Sequence, residues 1–289
     1  MENDNHALPI CYPFVKWAGG KSQLLSQIGN LIPKKFSRYF EPFLGGGAVF
    51  FYLICKKNLK FNGYLSDINC ELIDTYNAIK NNVDELILIL QVHQKQFEKS
   101  PYEYYYKIRS RIKFSNTTEI AARFIFLNKT CYNGLYRVNK KGLFNVPMGR
   151  YKRPLICDAN NLRNTSTLLN NSDVHIESSD YIRMLNKYAQ AGDFIYIDPP
   201  YDPTSSTSNF TSYSNNKFTE QDQKNLASVF KDLTHEGCKV LLSNSNTDLI
   251  KELYSDFLNG STKINVIRAI NSNGSRRSGH QELLIRNYC

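Results

Sequence analysis

Short apolar runs that end in turn residues alternate with segments of helical spacing along both ends of this 289-residue chain. The predicted strands are Arg38–Glu41, Phe61–Leu65, Val174–Glu177, Asp193–Asp198, Lys239–Asn244 and Glu282–Asn287. Helical spacing follows several of them, as in residues 48–55, 69–80 and 218–233. Strands that alternate with helices build a mostly parallel sheet with helices on both faces. The sequence therefore predicts an α/β fold.

The middle of the chain interrupts this alternation with a basic, mostly helical segment. Between Lys99 and Arg153 there are thirteen Lys and Arg residues and two acidic ones, while the whole chain carries a net charge of +10. Tyrosines and phenylalanines are interleaved with these charges. Such a mixture suits nucleic acid, which offers phosphates and stackable bases. We therefore predict that residues 70–155 form a binding domain inserted into a domain made of residues 1–69 and 156–289.

Composition limits the cellular setting and the kind of site. The seven cysteines are scattered without a CxxC pair, which argues against a disulfide framework and a zinc site. No apolar run reaches the roughly 18–20 residues of a membrane span, and the polar start of the chain does not look like a signal peptide. We expect a cytoplasmic protein that uses no metal and no membrane. Its richness in Asn, Lys and Ile suggests an AT-rich bacterial or phage genome.

A glycine-rich turn, Phe43-Leu44-Gly45-Gly46-Gly47, follows the first predicted strand. Such a turn lets the backbone approach a ligand closely, and the next helix offers free N–H groups. Asp67 ends the next strand, about 20 residues further on, where a carboxylate can accept hydrogen bonds from ribose hydroxyls. Because the turn is not a full GxGxxG, it suits a nucleoside without a pyrophosphate, such as S-adenosylmethionine.

The tetrapeptide Asp198-Pro199-Pro200-Tyr201 closes an apolar strand. Two prolines stiffen the loop and remove two donors, so its carbonyls can accept hydrogen bonds. A planar exocyclic amine is a poor nucleophile, because its lone pair is delocalised into the ring. The Asp198 carboxylate and the Pro199 carbonyl could hold its two hydrogens and localise that pair, and Tyr201 could stack on a base that has left the duplex.

These pieces, in this order, resemble the Dam family of adenine-N6 DNA methyltransferases in the alpha arrangement. The resemblance spans nearly the whole chain. The matching segments are 14–21 (FVKWAGGK), 39–47 (YFEPFLGGG), 66–69 (SDIN), 132–137 (YNGLYR), 145–151 (NVPMGRY) and 198–201 (DPPY). The resemblance implies a Rossmann-like methyltransferase sheet with an inserted, mostly helical DNA-recognition domain.

It also implies S-adenosylmethionine as the cofactor and S-adenosylhomocysteine as the product. Matching the family's cofactor-contacting positions are Trp17, Lys21, Asp67 and Asp198, with Phe43, Gly45 and Gly47 in the pocket-forming turn. Asp180 and Tyr181 look like the acid–aromatic pair beside the cofactor adenine.

The same resemblance implies double-stranded DNA as the substrate, with base flipping and GATC as the target. Positions that match the family's duplex-reading loop are Tyr132, Asn133, Leu135 and Arg137. Lys16 matches a second base-contacting position, Arg150 and Tyr151 match positions near the phosphates, and the basic tail Ser275–Ser278 could add a phosphate contact. A separately encoded restriction endonuclease could accompany such an enzyme.

Two other functions stay open at this stage. An N4-cytosine DNA methyltransferase performs the same chemistry, although such enzymes more often carry Ser where Asp198 stands. A catalytically silent DNA-binding protein with the same fold would explain the basic segment, but it would have no need of Trp17, Lys21 and Asp67 together. Methylation of RNA or of protein glutamine is disfavoured, since an Asn at position 198 would have favoured the latter.

Overall fold

The computed structural model of the chain describes residues 10–203, 218–266 and 280–289. In these ranges the strands are β1 (Arg38–Glu41), β2 (Asn62–Asp67), β3 (Val174–Ser178), β4 (Phe194–Ile197), β5 (Lys239–Ser245), β6 (Thr262–Val266) and β7 (His280–Arg286). They form one sheet in the order β3-β2-β1-β4-β5-β7-β6. Strands β1 to β5 run parallel to one another, and β7 runs antiparallel to both β5 and β6.

The α-helices of the described ranges cover both faces of this sheet. They are α1 (Leu25–Leu31), α2 (Ala48–Cys55), α3 (Cys70–Lys99), α4 (Pro101–Ser110), α5 (Thr117–Thr130), α6 (Ala159–Asn171), α7 (Tyr181–Tyr188), α8 (Glu220–His235) and α9 (Asp248–Leu253). Alternate residues of a strand point to opposite faces, so Tyr39 packs in the core with α2 and α3 while Phe40 packs with α7 and α8. The predicted α/β fold is confirmed.

The strand order fixes where a site can form. From β1 the chain moves outward through β2 to β3, then returns to place β4 on the other side of β1. Tyr39 pairs with Gly63 of β2 and with Phe194 of β4. In open α/β sheets, ligands bind outside the carboxyl ends of the strands where the order reverses. The turn after Glu41 and the loop after Ile197 therefore lie side by side at this point.

Three helices separate β2 from α6 in the chain, in the segment predicted to be an inserted domain. Helical spacing was predicted over residues 69–80, and α3 continues beyond that segment, from Cys70 to Lys99. A kink at Asn82, with φ −137° and ψ 35°, divides it. Lys80 just before the kink donates to the β3 carbonyl of Val174, whereas Phe97 after it packs on Phe126 of α5. The domain boundaries at 70 and 155 stay a prediction.

Local sequence explains how α8 begins beside the site. The Thr219 side chain accepts from the Asp222 backbone N–H, and the Asp222 carboxylate accepts from the Thr219 backbone N–H at 2.7 Å. This reciprocal capping satisfies two donors that the helix start would leave open. Of the described helices, none combines the length and the apolar composition needed to cross a bilayer.

Candidate active site and nucleic-acid interface

The Asp198 carboxylate lies at the carboxyl end of β4 and forms an ion pair with Lys21. The distance from Lys21 Nζ to Asp198 Oδ2 is 2.8 Å, and the two side chains are 5% and 19% exposed. Burial raises the pKa of Asp198 to about 6, against the opposing effect of Lys21. At neutral pH the site therefore holds an ionised carboxylate in a setting that excludes most water.

Side chains from α8 and β5 hold in place the loop that contains Pro199 and Pro200. The Gln223 amide donates to the Pro200 carbonyl at 2.9 Å, and Asn244 donates to the Gln223 Oε1 at 3.0 Å. Ser245 Oγ donates to the Asp202 carbonyl at 2.9 Å. Within the described part of the chain, no residue donates to the Pro199 carbonyl. As far as the described residues are concerned, the Pro199 carbonyl is thus without a donor.

The Tyr201 hydroxyl points into a polar cluster beneath the loop. It donates to the Glu282 carboxylate of β7 at 2.8 Å and is hydrogen-bonded to Ser243 of β5. Lys21 Nζ lies 4.8 Å from the centroid of the Tyr201 ring. Because the hydroxyl is fixed by these contacts, the ring is held in one orientation, as a stacking surface requires. Sequence analysis did not identify Glu282, Ser243 or Gln223 as part of this site.

The glycine-rich turn packs tightly against the N-terminal segment. Gly45 has φ +49°, and a Cβ at this position would lie 2.5 Å from Trp17 Cδ1. Its N–H donates to Asp67 Oδ2 at 2.9 Å, and its carbonyl accepts from the Tyr76 hydroxyl at 3.1 Å. The turn is therefore fixed on three sides, with a backbone conformation that favours glycine.

Asp67 has a structural task in addition to any ligand contact. Its second oxygen accepts from the Asn69 N–H at 2.9 Å, so both carboxylate oxygens have backbone donors. Burial raises the pKa of Asp67, although these donors oppose the effect. Each carboxylate oxygen can accept more than one hydrogen bond, so Asp67 can still bind a ribose hydroxyl as predicted.

Two aromatic rings and an acid stand at the same sheet edge. Phe43 and Tyr181 have ring centroids 5.1 Å apart. The Asp180 side chain caps α7 by accepting from the Ile182 N–H at 2.9 Å. The neighbouring Ser179 N–H donates to the Asp67 carbonyl at 3.2 Å. The predicted acid–aromatic pair therefore lies next to Asp67.

The segment with Lys16 and Trp17 is fastened to α5. Asn128 accepts from the Lys16 N–H at 2.8 Å and donates to the Lys16 carbonyl at 2.7 Å. The Trp17 ring stacks against both Phe124 and Tyr136, at centroid distances of 6.1 and 6.0 Å. These contacts join the glycine turn to the helical insert through one tryptophan.

The predicted duplex-reading loop closes on itself between Thr130 and Tyr151. The Tyr132 N–H donates to the Pro147 carbonyl at 2.9 Å, and the Gly149 N–H donates to the Thr130 carbonyl at 2.8 Å. Asn133 takes a left-handed conformation with φ 56°. Tyr132 is left 43% exposed. The loop is thus preformed, with an aromatic side chain toward solvent and Leu135 half-buried.

Several predicted DNA contacts meet on this loop. Arg137 is exposed, and its Nε donates to Asn145 Oδ1 at 2.7 Å. Lys16 Nζ lies 4.6 Å from the Tyr151 ring centroid. A Cβ on Gly134 would lie 2.7 Å from Lys16 Cβ, so the loop packs directly on that lysine. Arg150 is also exposed, whereas the tail Ser275–Ser278 lies outside the described residues.

One of the thirteen basic residues between Lys99 and Arg153 is buried. Arg123 is only 5% exposed, and its guanidinium donates to backbone carbonyls and to Glu71. Burial lowers the pKa of Arg123, while Glu71 opposes this effect. Phe124, Phe126 and Tyr105 are likewise core residues. The interleaving of charges and aromatic residues in this segment therefore reflects helix packing in part.

Comparisons with known proteins agree with this geometry. A family model described as "D12 class N6 adenine-specific DNA methyltransferase" matches residues 17–271. The chain is 46% identical to the Type II methyltransferase M.MjaIII of Methanocaldococcus jannaschii, over 96% of this chain and 99% of that protein. It is 44% identical to the Type II methyltransferase M1.LlaDCHI of Lactococcus lactis, over 96% and 95%. It is 38% identical to the DNA adenine methylase of Escherichia coli K12, over 94% and 93%.

A solved structure of an rRNA methyltransferase from Streptomyces viridochromogenes covers 99% of this chain and 94% of its own, with a TM-score of 0.38 and 12% identity. A likeness of that size carries no conclusion about this chain.

Proposed function

We propose that this chain, which belongs to the D12 class of N6 adenine-specific DNA methyltransferases, takes the adenine of GATC in duplex DNA as its target. The enzyme transfers a methyl group from S-adenosylmethionine to the exocyclic N6 of adenine. The observation that carries the site assignment is the N-terminal segment from Lys16 to Lys21. Lys16 contacts Tyr151 of the duplex-reading loop, and Lys21 contacts Asp198 of the catalytic loop.

The residues at the sheet edge fit the cofactor by their chemistry. Asp67 offers carboxylate oxygens for ribose hydroxyls, Phe43 and Tyr181 offer ring faces, and the close packing at Gly45 leaves backbone rather than a side chain facing the ligand. We assign the cofactor contacts to these groups and to Trp17, Lys21, Gly47, Asp180 and Asp198. Bound S-adenosylmethionine supplies a methyl group already activated on a sulfonium.

The chain's own residues activate the amine. The Asp198 carboxylate accepts one hydrogen of the adenine N6, and the Pro199 carbonyl accepts the other. Two acceptors so placed draw the nitrogen toward tetrahedral geometry and localise its lone pair. The carboxylate also stabilises the positive charge that develops on nitrogen. Tyr201 stacks on the flipped base, and Pro200 keeps the loop rigid through its contact with Gln223.

The loop from 131 to 151 reads the duplex in this proposal. Arg137 suits the edge of a guanine, because Arg binds its O6 and N7 with two hydrogen bonds. Tyr132, Asn133 and Leu135 contact neighbouring bases, and Lys16 contacts a base from the other side. Arg150 and Tyr151 bind phosphates, which position the protein without reading sequence. The insert at 70–155 is the target-recognition domain, and residues 1–69 with 156–289 form the catalytic domain.

Methylation mapping tests this proposal directly. DNA that carries every four-base site is incubated with the enzyme and S-adenosylmethionine, then sequenced for N6-methyladenine. Modification of GATC alone is expected, and modification of another site would overturn the target. Asp198→Ala should abolish transfer and leave DNA binding largely intact, so transfer that survives would overturn the role of Asp198. The names of two Type II relatives also support a companion restriction endonuclease as a proposal.

A further inference from the structure

Lys21 is the one cation, among the described residues, that acts on the Asp198 carboxylate. Its Nζ reaches Asp198 Oδ2 at 2.8 Å and donates to the Gly19 carbonyl at 2.6 Å. The residue is 4% exposed. Gly19 has φ +78°, which turns the backbone so that its carbonyl meets the ammonium of a residue two positions later. The ammonium is therefore held in place and is not a mobile surface charge.

Acidic groups surround Asp198 on the other sides. Glu41 at the end of β1 is buried, and its Oε2 accepts from the Tyr39 hydroxyl at 2.7 Å and from the Phe50 N–H at 3.1 Å. Glu282 of β7 is 6% exposed and raises the pKa of Asp198. The hydroxyls of Tyr196 and Tyr201 also face this cluster. Among the described residues, the buried acids Glu41 and Glu282 thus both interact electrostatically with Asp198, and Lys21 is the cation that pairs with it.

Such surroundings favour protonated carboxyl groups. Burial disfavours the charged form of an acid, and a nearby like charge disfavours it further. A protonated Asp198 would carry a hydrogen on one oxygen and would accept poorly from an amine. An opposite charge within about 4–6 Å favours the charged form instead and lowers the pKa of an acid by about 1–3 units. The position of Lys21 meets that condition.

We propose that Lys21 is a positioning residue that keeps Asp198 ionised through a direct ion pair, so that the carboxylate can accept a hydrogen of the adenine amine. This role is distinct from the cofactor contact assigned to Lys21, and it rests on the proposed role of Asp198. The long side chain also places the ammonium over the Tyr201 ring, so one cation contacts the two groups that receive the base.

Titration of the free protein provides the first test, without cofactor or DNA. Carboxyl carbons of aspartate are labelled with carbon-13, and the Asp198 resonance is assigned from its loss in Asp198→Asn. We expect a midpoint near pH 6 in the wild-type protein. In Lys21→Met the midpoint should rise by at least about 1 pH unit, and Lys21→Arg should restore it. An unchanged midpoint in Lys21→Met would overturn the proposal.

The rate of a single turnover, measured against pH at saturating S-adenosylmethionine, provides the second test. The acid limb of this profile, where the rate falls as the pH is lowered, should move to higher pH in Lys21→Met. It should move to lower pH in Glu282→Gln, which removes a like charge. A Lys21→Met enzyme that needs more cofactor but keeps the wild-type limb would show a cofactor role alone and overturn the ion-pair role. If Lys21→Met does not fold, Lys21→Gln takes its place in both tests.

The failure of this inference can be told from failure of the proposed function. If Asp198→Asn retained full transfer at every pH, the role of Asp198 itself would be wrong. If Asp198→Asn were inactive while the midpoint and the acid limb did not respond to Lys21, only the role of Lys21 would be wrong. Circular dichroism of each variant confirms that the comparison is made between folded proteins.

Discussion

Gln223 donates a hydrogen bond of 2.9 Å to the carbonyl of Pro200, and so a helix on one face of the sheet fixes the loop to which we assign the reaction. Replacing Gln223 by Leu keeps the side chain's bulk and removes this bond. A hydrogen bond of about 1 kcal/mol corresponds to a rate loss of roughly five- to tenfold. Single-turnover kinetics should show this loss at unchanged DNA affinity. Gln221→Leu, on the exposed face of α8, is the matched control and should behave as wild type.

The ring and the hydroxyl of Tyr201 have separable tasks. Tyr201→Phe keeps the stacking face and removes the contacts with Glu282 and Ser243. Tyr201→Ala removes both. Loss of base stacking costs about 1–3 kcal/mol per base. We expect 2-aminopurine fluorescence at the target position to show a flipped base with wild type and Tyr201→Phe, but a weakened response with Tyr201→Ala. Equal responses from the two variants would exclude stacking by this ring.

Burial raises the pKa of Glu41 to about 8. The folded protein therefore holds this proton at a pH where the unfolded chain has released it. Between the ordinary pKa of Glu and pH 8 the unfolded state binds fewer protons, so this group makes wild type less stable as pH rises. Glu41→Gln removes the effect. Urea unfolding should show that the free energy of unfolding of Glu41→Gln, relative to that of wild type, rises by more than about 1 kcal/mol from pH 5 to pH 9. The exposed Glu236→Gln should show no such gain.

Gly45 and Gly142 offer a matched pair for the cofactor turn. Both have positive φ, +49° and +74°, but a Cβ meets Trp17 at 2.5 Å on Gly45 and nothing within 4 Å on Gly142. Gly142→Ala should cost only backbone strain, about 1 kcal/mol, and leave cofactor binding intact. Gly45→Ala should displace Trp17 and weaken S-adenosylmethionine binding at least about tenfold, as measured by calorimetry. Equal binding by both variants would show that the turn tolerates a side chain.

Arg137 should determine sequence preference, and its neighbour Lys141 should not. Loss of a bidentate contact to guanine costs about 1–3 kcal/mol and relaxes specificity at that position. Arg137→Ala should therefore methylate sites with a substituted guanine nearly as well as GATC. Lys141→Ala, at the exposed tip of the same loop, should reduce methylation of all sites equally and be rescued by lower salt. Mapping the methylated sites of both variants distinguishes these outcomes.

The periodicity of apolar residues was enough to predict the sheet. Each of the six expected strands has a counterpart, because buried strands of a parallel sheet need continuous apolar runs. Strand β6 was missed, since Thr262–Val266 is short and contains only two apolar residues. The kink of α3 at Asn82 was not predicted, because a kink without proline or glycine leaves little trace in the sequence.

The proposed catalytic loop was assigned from its own four residues, but the residues that support it were not predicted. Gln223, Ser243 and Glu282 come from three elements distant in sequence, and only the folded sheet brings them together. A signal was present in Ser243-Asn244-Ser245, a polar run that ends an apolar strand and is fully buried. Buried polar groups need partners, so such a run indicates that another loop must lie against it.

The kink of α3 at Asn82 bears on how enzymes of this kind could be recombined. Lys80 before the kink contacts the sheet and Phe97 after it contacts α5, within one continuous helix, while Glu71 near the start of α3 also pairs with Arg123 of α5. A transplanted recognition segment joined at the start of α3 would carry foreign packing into the parental sheet. A junction at Asn82 would keep the Lys80 and Phe97 contacts native, provided that the pair of Glu71 with residue 123 is matched across it. Chimeras with a different target site should therefore be spliced inside this helix, at its bend, and not in the loops that flank it.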